Sequence, residues 1–69
     1  MRTIKEFHVC LRGRDLRWVV RLGSATYGAY LDMEQAVLDA VEAARDEKHA
    51  GREAQVWLRE PNVPDRIIF

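Results

Sequence analysis

The sequence contains little that points to export or to a membrane. Its 69 residues include a single cysteine, Cys10, so no disulfide can form within the chain, which is typical of an intracellular protein. No apolar run is long enough for a signal peptide, and none approaches the roughly 20 residues of a membrane span. We therefore expect a cytoplasmic protein without a membrane segment.

Motifs that hold metals or cofactors are also absent. The soft metal ligands are Cys10, His8 and His49, without CxxC or HxxxH spacing, and there is no glycine-rich phosphate loop. His8 and Cys10 lie two residues apart on the same predicted strand face, where a Cys/His nucleophile pair is geometrically conceivable, but nothing in the sequence supplies a third, orienting group. A chain this short buries only about 60% of its unfolded surface, which leaves little room for a deep substrate pocket. We predict no enzyme activity, no metal and no cofactor.

The net charge is zero, but the charges are unevenly distributed. Residues 32–53 carry seven acidic residues against three basic ones. Residues 1–31 carry two acidic residues against six basic ones, namely Arg2, Lys5, Arg12, Arg14, Arg17 and Arg21. Such a dipolar molecule can orient an acidic partner or pair with a second copy of itself, although two solvated faces are the simpler interpretation.

The hydrophobic content of 48% and charged content of 32% are those of an ordinary globular domain, and we expect one domain over residues 1–69. Alternating apolar residues predict strands in "TIKEFHVCL", in Leu16 to Leu22 and in "EAQVWLRE". A short edge strand is expected at 27–30 and a final strand at 66–69. Apolar residues spaced by three and four predict a helix from Met33, capped by Asp32 and stopped at Gly51.

The order strand, strand, helix, strand, strand predicts an α+β fold, in which a small antiparallel or mixed sheet carries the helix on one face. A crossover from the second strand through the helix would place "EAQVWLRE" beside the first strand and antiparallel to it. The first strand is then central. The residues expected beneath the helix are Phe7, Val9, Trp18, Val20, Val56 and Leu58.

The opposite sheet face is the candidate binding site. Its expected members are His8, Arg17, Val19, Arg21, Gln55, Trp57 and Arg59. Arginine binds carboxylates or phosphates in a bidentate manner, and an exposed tryptophan is typical of interfaces. We predict a protein partner or a homodimer. Nucleic acid, bound by these arginines and those of the hairpin loop, is an alternative partner, although the zero net charge weakens this interpretation. A second alternative is that the face is only solvated and binds nothing.

The segments "FHVCL", "RWVV" and "YLDMEQAVLDAVEAA" resemble a family of short bacterial proteins known as domain of unknown function 2188. His8-Val9, Trp18-Val19-Val20 and Ala36 match the family's pattern, whereas Asp32 and Gln35 replace a threonine and a glutamate at the helix start. The resemblance implies the fold and a bacterial or phage origin, but no activity. The opening strands and helix also resemble the antitoxin half of a toxin–antitoxin pair, and a small phage-encoded inhibitor would have a similar size. Both act by binding.

Overall fold

A computed structural model describes residues 3–69, so Arg2 lies outside the described part of the chain. It contains the five strands β1 (Ile4–Arg12), β2 (Arg17–Leu22), β3 (Ala25–Tyr30), β4 (Glu53–Arg59) and β5 (Arg66–Ile67), and the helix α1 (Met33–His49) between β3 and β4. The strands form one sheet in the order β3-β2-β1-β4-β5, with the helix against one face. The α+β prediction and the central position of β1 are confirmed. No helix among the described residues is long and apolar enough to span a membrane.

The sequence-based prediction of antiparallel pairing between β1 and β4 is wrong. The two strands are parallel, with Phe7 beside Val56 and His8 beside Trp57. The error lies in β3, expected at residues 27–30 and omitted from the crossover argument. It is a six-residue strand antiparallel to β2, so the chain enters the helix travelling in the same direction as β1. A crossover from that direction makes β4 parallel to β1.

The core lies between α1 and the sheet. Small alanines on one stripe of the helix, Ala36, Ala40 and Ala44, are fully buried and let α1 lie close to the strands. The fully buried side chains beneath them include Phe7, Val9, Val20 and Val56. Of the six expected core residues only Trp18 differs. It is half-buried and packs against this cluster without belonging to its buried residues.

The helix begins where the sequence predicts. Asp32 has an extended backbone, and its carboxylate oxygen Oδ1 accepts a hydrogen bond of 2.9 Å from the backbone N–H of Gln35. The Gln35 side chain does not reach back to complete a capping box, but donates to Asp39 one turn later at 3.2 Å. Helix α1 ends at His49, and Gly51 adopts the left-handed φ of 84° that such a stop favours.

A β-bulge shapes the outer strand β3. Val20 of β2 lies opposite Gly28 and Arg21 lies opposite Thr26, which leaves Tyr27 as the extra residue. The Tyr30 ring covers Gly28 so closely that a Cβ atom there would collide with it. Burial of Tyr30 and its hydrogen bond to Asp39 raise the pKa of the Tyr30 hydroxyl to about 12.

Candidate functional site

The sheet face that points away from the helix is here called the open face. Strand pairing aligns its side chains in rows that cross the sheet. One row runs through all five strands, and a shorter row beside it runs through four. The long row is Thr26, Arg21, His8, Trp57 and Ile67, and the short row is Ala29, Val19, Cys10 and Arg59. All seven sequence-predicted site residues except Arg17 and Gln55 lie in these two rows, and those two flank them.

Trp57 is held in place by two neighbours on this face. Its ring lies parallel to the His8 ring, with an interplanar angle of 5° and 6.0 Å between centroids. Its indole Nε1 donates a hydrogen bond of 3.3 Å to Gln55 Oε1, and His8 Nε2 lies 3.2 Å from Glu6 Oε1. The tryptophan is half-buried. These contacts limit the rotamers of Trp57, so little side-chain entropy is left to lose when a partner covers it.

The arginines of the open face divide into paired and unpaired ones. Arg12 donates to Asp15 at 2.7 Å, and Arg59 donates to Asp65 at 3.1 Å. Arg17 and Arg21 form no ion pair with any described residue, and the Arg21 guanidinium makes only a long contact of 3.5 Å to the Ser24 carbonyl. Two guanidinium groups are therefore available to an external carboxylate or phosphate.

Val19 lies between these two arginines in sequence, on the same face, but it is only 4% exposed. It does not belong to the core cluster beneath the helix. In the sheet Val19 lies between Cys10 of β1 and Ala29 of β3. Val19 therefore forms an apolar floor on the open face and does not offer a surface of its own.

The β1–β2 hairpin next to this face is held by Asp15. Its carboxylate accepts two hydrogen bonds from the Arg12 guanidinium and a third from the Arg17 backbone N–H at 3.2 Å. The bonds from Arg12, with the smaller contribution from Arg17, lower the pKa of Asp15 from 3.8 to about 2. The ion pair fixes Arg12 on the hairpin, whereas the side chain of Arg17, the first residue of β2, is exposed to solvent.

Sequence reasoning missed two members of the long row, Thr26 and Ile67. Ile67 lies directly opposite Trp57 and is 50% exposed, so it extends the apolar part of the open face. The signal was present in the apolar ending "RIIF", but its register against β4 depends on the turn at 61–65 and cannot be read from periodicity. Thr26 was missed because the expected edge strand began at residue 27, whereas β3 begins at Ala25 and carries a bulge at Tyr27.

A second apolar surface lies on the helix side of the molecule. An open groove between α1 and the β4–β5 edge is lined by Met33, Val37, Leu38, Val41, Leu58 and Ile68, with Glu34 at its rim. Leu38 is 62% exposed. Within residues 3–69, no three His, Cys, Asp or Glu side chains are grouped so as to hold a metal.

Comparisons with protein families, curated proteins and solved structures find no match to this chain. The resemblance to the bacterial family described above thus stays a prediction. Functional interpretation depends on the two rows of the open face.

Proposed function

We propose that this protein is a non-catalytic binding domain of the cytoplasm that holds an acidic surface of a partner protein against its open face. The observation that carries the proposal is the difference between its arginines: Arg12 and Arg59 are neutralised by neighbouring aspartates, whereas Arg17 and Arg21 are not. Binding of an external carboxylate by an arginine without an internal partner breaks no existing ion pair. Such pairs set the orientation of a complex.

The long row supplies the second element of a protein interface. Trp57 and Ile67 form a partly exposed apolar patch on β4 and β5, and Arg21 lies on the far side of His8. Interfaces have this arrangement, with a desolvated aromatic residue surrounded by arginine and other polar groups. An inhibitor or an antitoxin of bacterial or phage origin would act through such a surface, by occupying its partner.

A glutamate-rich peptide is a suitable first probe, because it presents carboxylates without a folded surface. In an NMR titration of the isotope-labelled protein, we expect the peptide to shift amide signals of β1, β2 and β4. Replacing both Arg17 and Arg21 by alanine should abolish the shifts. The matched control is Arg45→Ala, which removes a cation from the helix side. Unchanged binding in the double variant, or shifts confined to α1, would show that the open face is not the binding site.

A single-stranded nucleic acid is a second candidate, favoured by the parallel rings of His8 and Trp57 beside Arg21. Bases stack on such rings, and arginine contacts the backbone phosphates. An oligothymidylate titrated at two salt concentrations separates the two partners. Tight binding that weakens steeply with salt, and that exceeds the binding of the glutamate-rich peptide, would favour the nucleic acid.

A further inference from the structure

We propose that two copies of this protein pair through the outer edge of β3, forming a symmetric dimer with one continuous sheet. Strand β3 is the last strand on its side, so half of its backbone N–H and C=O groups have no strand to bond. An exposed edge of this kind is a template for a further strand. This edge borders the open face and shares Thr26, Ala29 and Arg21 with it, but the inference rests on the strand edge and does not depend on the proposed function.

The two edges of the sheet differ in how they are protected. At one edge, β5 has only two residues, and the charged Asp65 and Arg66 and the nearby Pro64 discourage further pairing. At the other edge, residues 22–31 ("LGSATYGAYL") contain no charged side chain, in a chain that is 32% charged. Exposed apolar residues lie on this edge, with Leu31 76% and Tyr27 55% exposed. Edge association is therefore directed to β3.

A second copy fits this edge because the bulge makes β3 self-complementary. Antiparallel strands place side chains of the same face opposite one another. Three residues of β3 lie on the helix side because they pair with helix-side residues of β2: Ala25 with Leu22, Gly28 with Val20, and Tyr30 with Trp18. Thr26 and Ala29 lie on the open side. Tyr27 contacts Phe7 and so also lies on the helix side. Consider a two-fold axis that relates the two β3 strands and passes between Tyr27 and Gly28. Each residue on the helix side then lies opposite a residue of the partner that is also on the helix side. On the open side, Thr26 lies opposite the partner's Ala29.

Charge at the two ends of the strand fits the same arrangement. The axis that places Thr26 opposite the partner's Ala29 brings Ser24 opposite the partner's Leu31, next to the partner's Asp32. The Arg21 guanidinium contacts the Ser24 carbonyl and has no carboxylate among the described residues. Only one oxygen of Asp32 caps the helix. Each copy thus offers an unpaired cation where the other offers a carboxylate oxygen, and symmetry repeats the pair.

The proposed dimer is also closed. Once the two β3 edges are joined, both outer edges are the short, charged β5 strands, so growth into a filament stops. An axis perpendicular to the sheet keeps both helices on one side. The two open faces then lie side by side on the other.

The register can be tested with charge placed at positions 26 and 29. The double variant Thr26→Lys with Ala29→Lys sets lysine opposite lysine at both symmetric sites, and like charges directly opposite are destabilising. We expect its dimer dissociation constant to rise about tenfold or more. The matched variant Thr26→Lys with Ala29→Glu sets lysine opposite glutamate at the same sites. It should dimerise about as well as the original protein.

Sedimentation velocity over a wide range of protein concentration measures the association, and circular dichroism confirms folding of each variant. Two further controls address the other surfaces: Trp57→Ala on the open face and Leu38→Lys on the helix-side groove should both leave the dimer intact. In the unaltered protein, amides of β3 should become protected from hydrogen exchange as concentration rises. A monomer at every concentration, equal behaviour of the two double variants, or loss of the dimer only with Trp57→Ala or Leu38→Lys would overturn the inference.

Discussion

The two tryptophans show how one alternating pattern serves two different roles. Trp18 faces the helix, opposite Tyr30 of β3, and packs against the core cluster. Trp57 faces the other way, beside His8 on the open face. Both are half-buried, so exposure alone does not separate the structural residue from the candidate binding residue. Their neighbours do.

Trp18→Ala should lower the free energy of unfolding by about 2–3 kcal/mol, somewhat less than the 3–5 kcal/mol typical of a fully buried aromatic residue, because part of the ring is exposed. Urea denaturation measures the change, and Trp18→Phe should recover most of it. Trp57→Ala should cost about 1 kcal/mol or less and act on binding instead. A larger loss of stability for Trp57→Ala than for Trp18→Ala would contradict these roles.

Asp15→Asn should alter the acid limb of the stability curve. The pKa of Asp15 is about 2 in the folded protein, below its ordinary value of 3.8. The ion pair therefore stabilises the folded state above about pH 4, and this contribution is lost as the pH falls towards 2. At neutral pH, the unfolding free energy of the asparagine variant should be lower than that of the original protein. Between about pH 4 and pH 2 it should also change less.

Denaturation at several pH values below 5 measures this slope. Asp46→Asn is the control, because the Asp46 side chain forms no ion pair with any described residue, and its curve should run parallel to that of the original protein. A variant Asp15→Asn with an unchanged slope would show that the hairpin ion pair does not contribute.

At the scale of secondary structure, the sequence predicts each element from a local pattern but not how the elements connect. Period-two alternation in β1, β2 and β4 and the alanine stripe of α1 depend on neighbouring residues alone, and all four elements are confirmed. The direction of β4 depends on whether the weakly patterned "ATYGAY" adds one more reversal. Its bulge and Gly28 blur the alternation, so this reversal was left out of the crossover argument and the parallel pairing with β1 was missed.

For the open face, too, the sequence predicts the local features but not those that depend on tertiary structure. The alternation along each strand was sufficient to assign His8, Arg21 and Trp57 to one face. Which of them are adjacent is set by strand register, and the ion pairs that neutralise Arg12 and Arg59 depend on loop residues Asp15 and Asp65. The unpaired state of Arg17 and Arg21 is thus a property of tertiary structure. Burial of Val19 likewise depends on its cross-strand neighbours.

Asp32→Ala should destabilise the protein by about 1 kcal/mol, because the helix loses the carboxylate that accepts the Gln35 N–H. Thermal or urea denaturation measures the loss, and Asp32→Asn should preserve most of the stability, since its side-chain oxygen can accept the same bond. Gln35→Ala should cost only a few tenths of a kcal/mol, because the Gln35 side chain bonds Asp39 and does not complete a capping box. Equal losses for Asp32→Ala and Asp32→Asn would mean that the cap itself contributes little.

For the whole molecule, the central pairing ties the beginning of the described chain to its end. Ile4 lies beside Glu53, and Ile68 and Phe69, which follow β5, pack against the same core. The Phe69 ring lies under two cations of the last helical turns, with Lys48 Nζ 4.5 Å from its centroid. Glu47 binds Lys5 of β1 at 3.0 Å and also pairs with Arg52, the residue before β4, which fastens the helix end to β1 and to the start of β4. The residues that form the core are therefore drawn from nearly the entire chain.

Unfolding should accordingly be a single cooperative step, which the positions of the tryptophans allow to be tested. Trp18 reports on β2 and Trp57 reports on β4, on opposite sides of β1. In the variants Trp57→Phe and Trp18→Phe, the fluorescence of the remaining tryptophan and the far-ultraviolet circular dichroism should give the same urea midpoint within each variant. Phenylalanine preserves most of the packing, so each variant should fold. If the β4 fluorophore changed at a lower urea concentration than the circular dichroism, the β4–β5 side would unfold separately and residues 3–69 would not act as one cooperative domain.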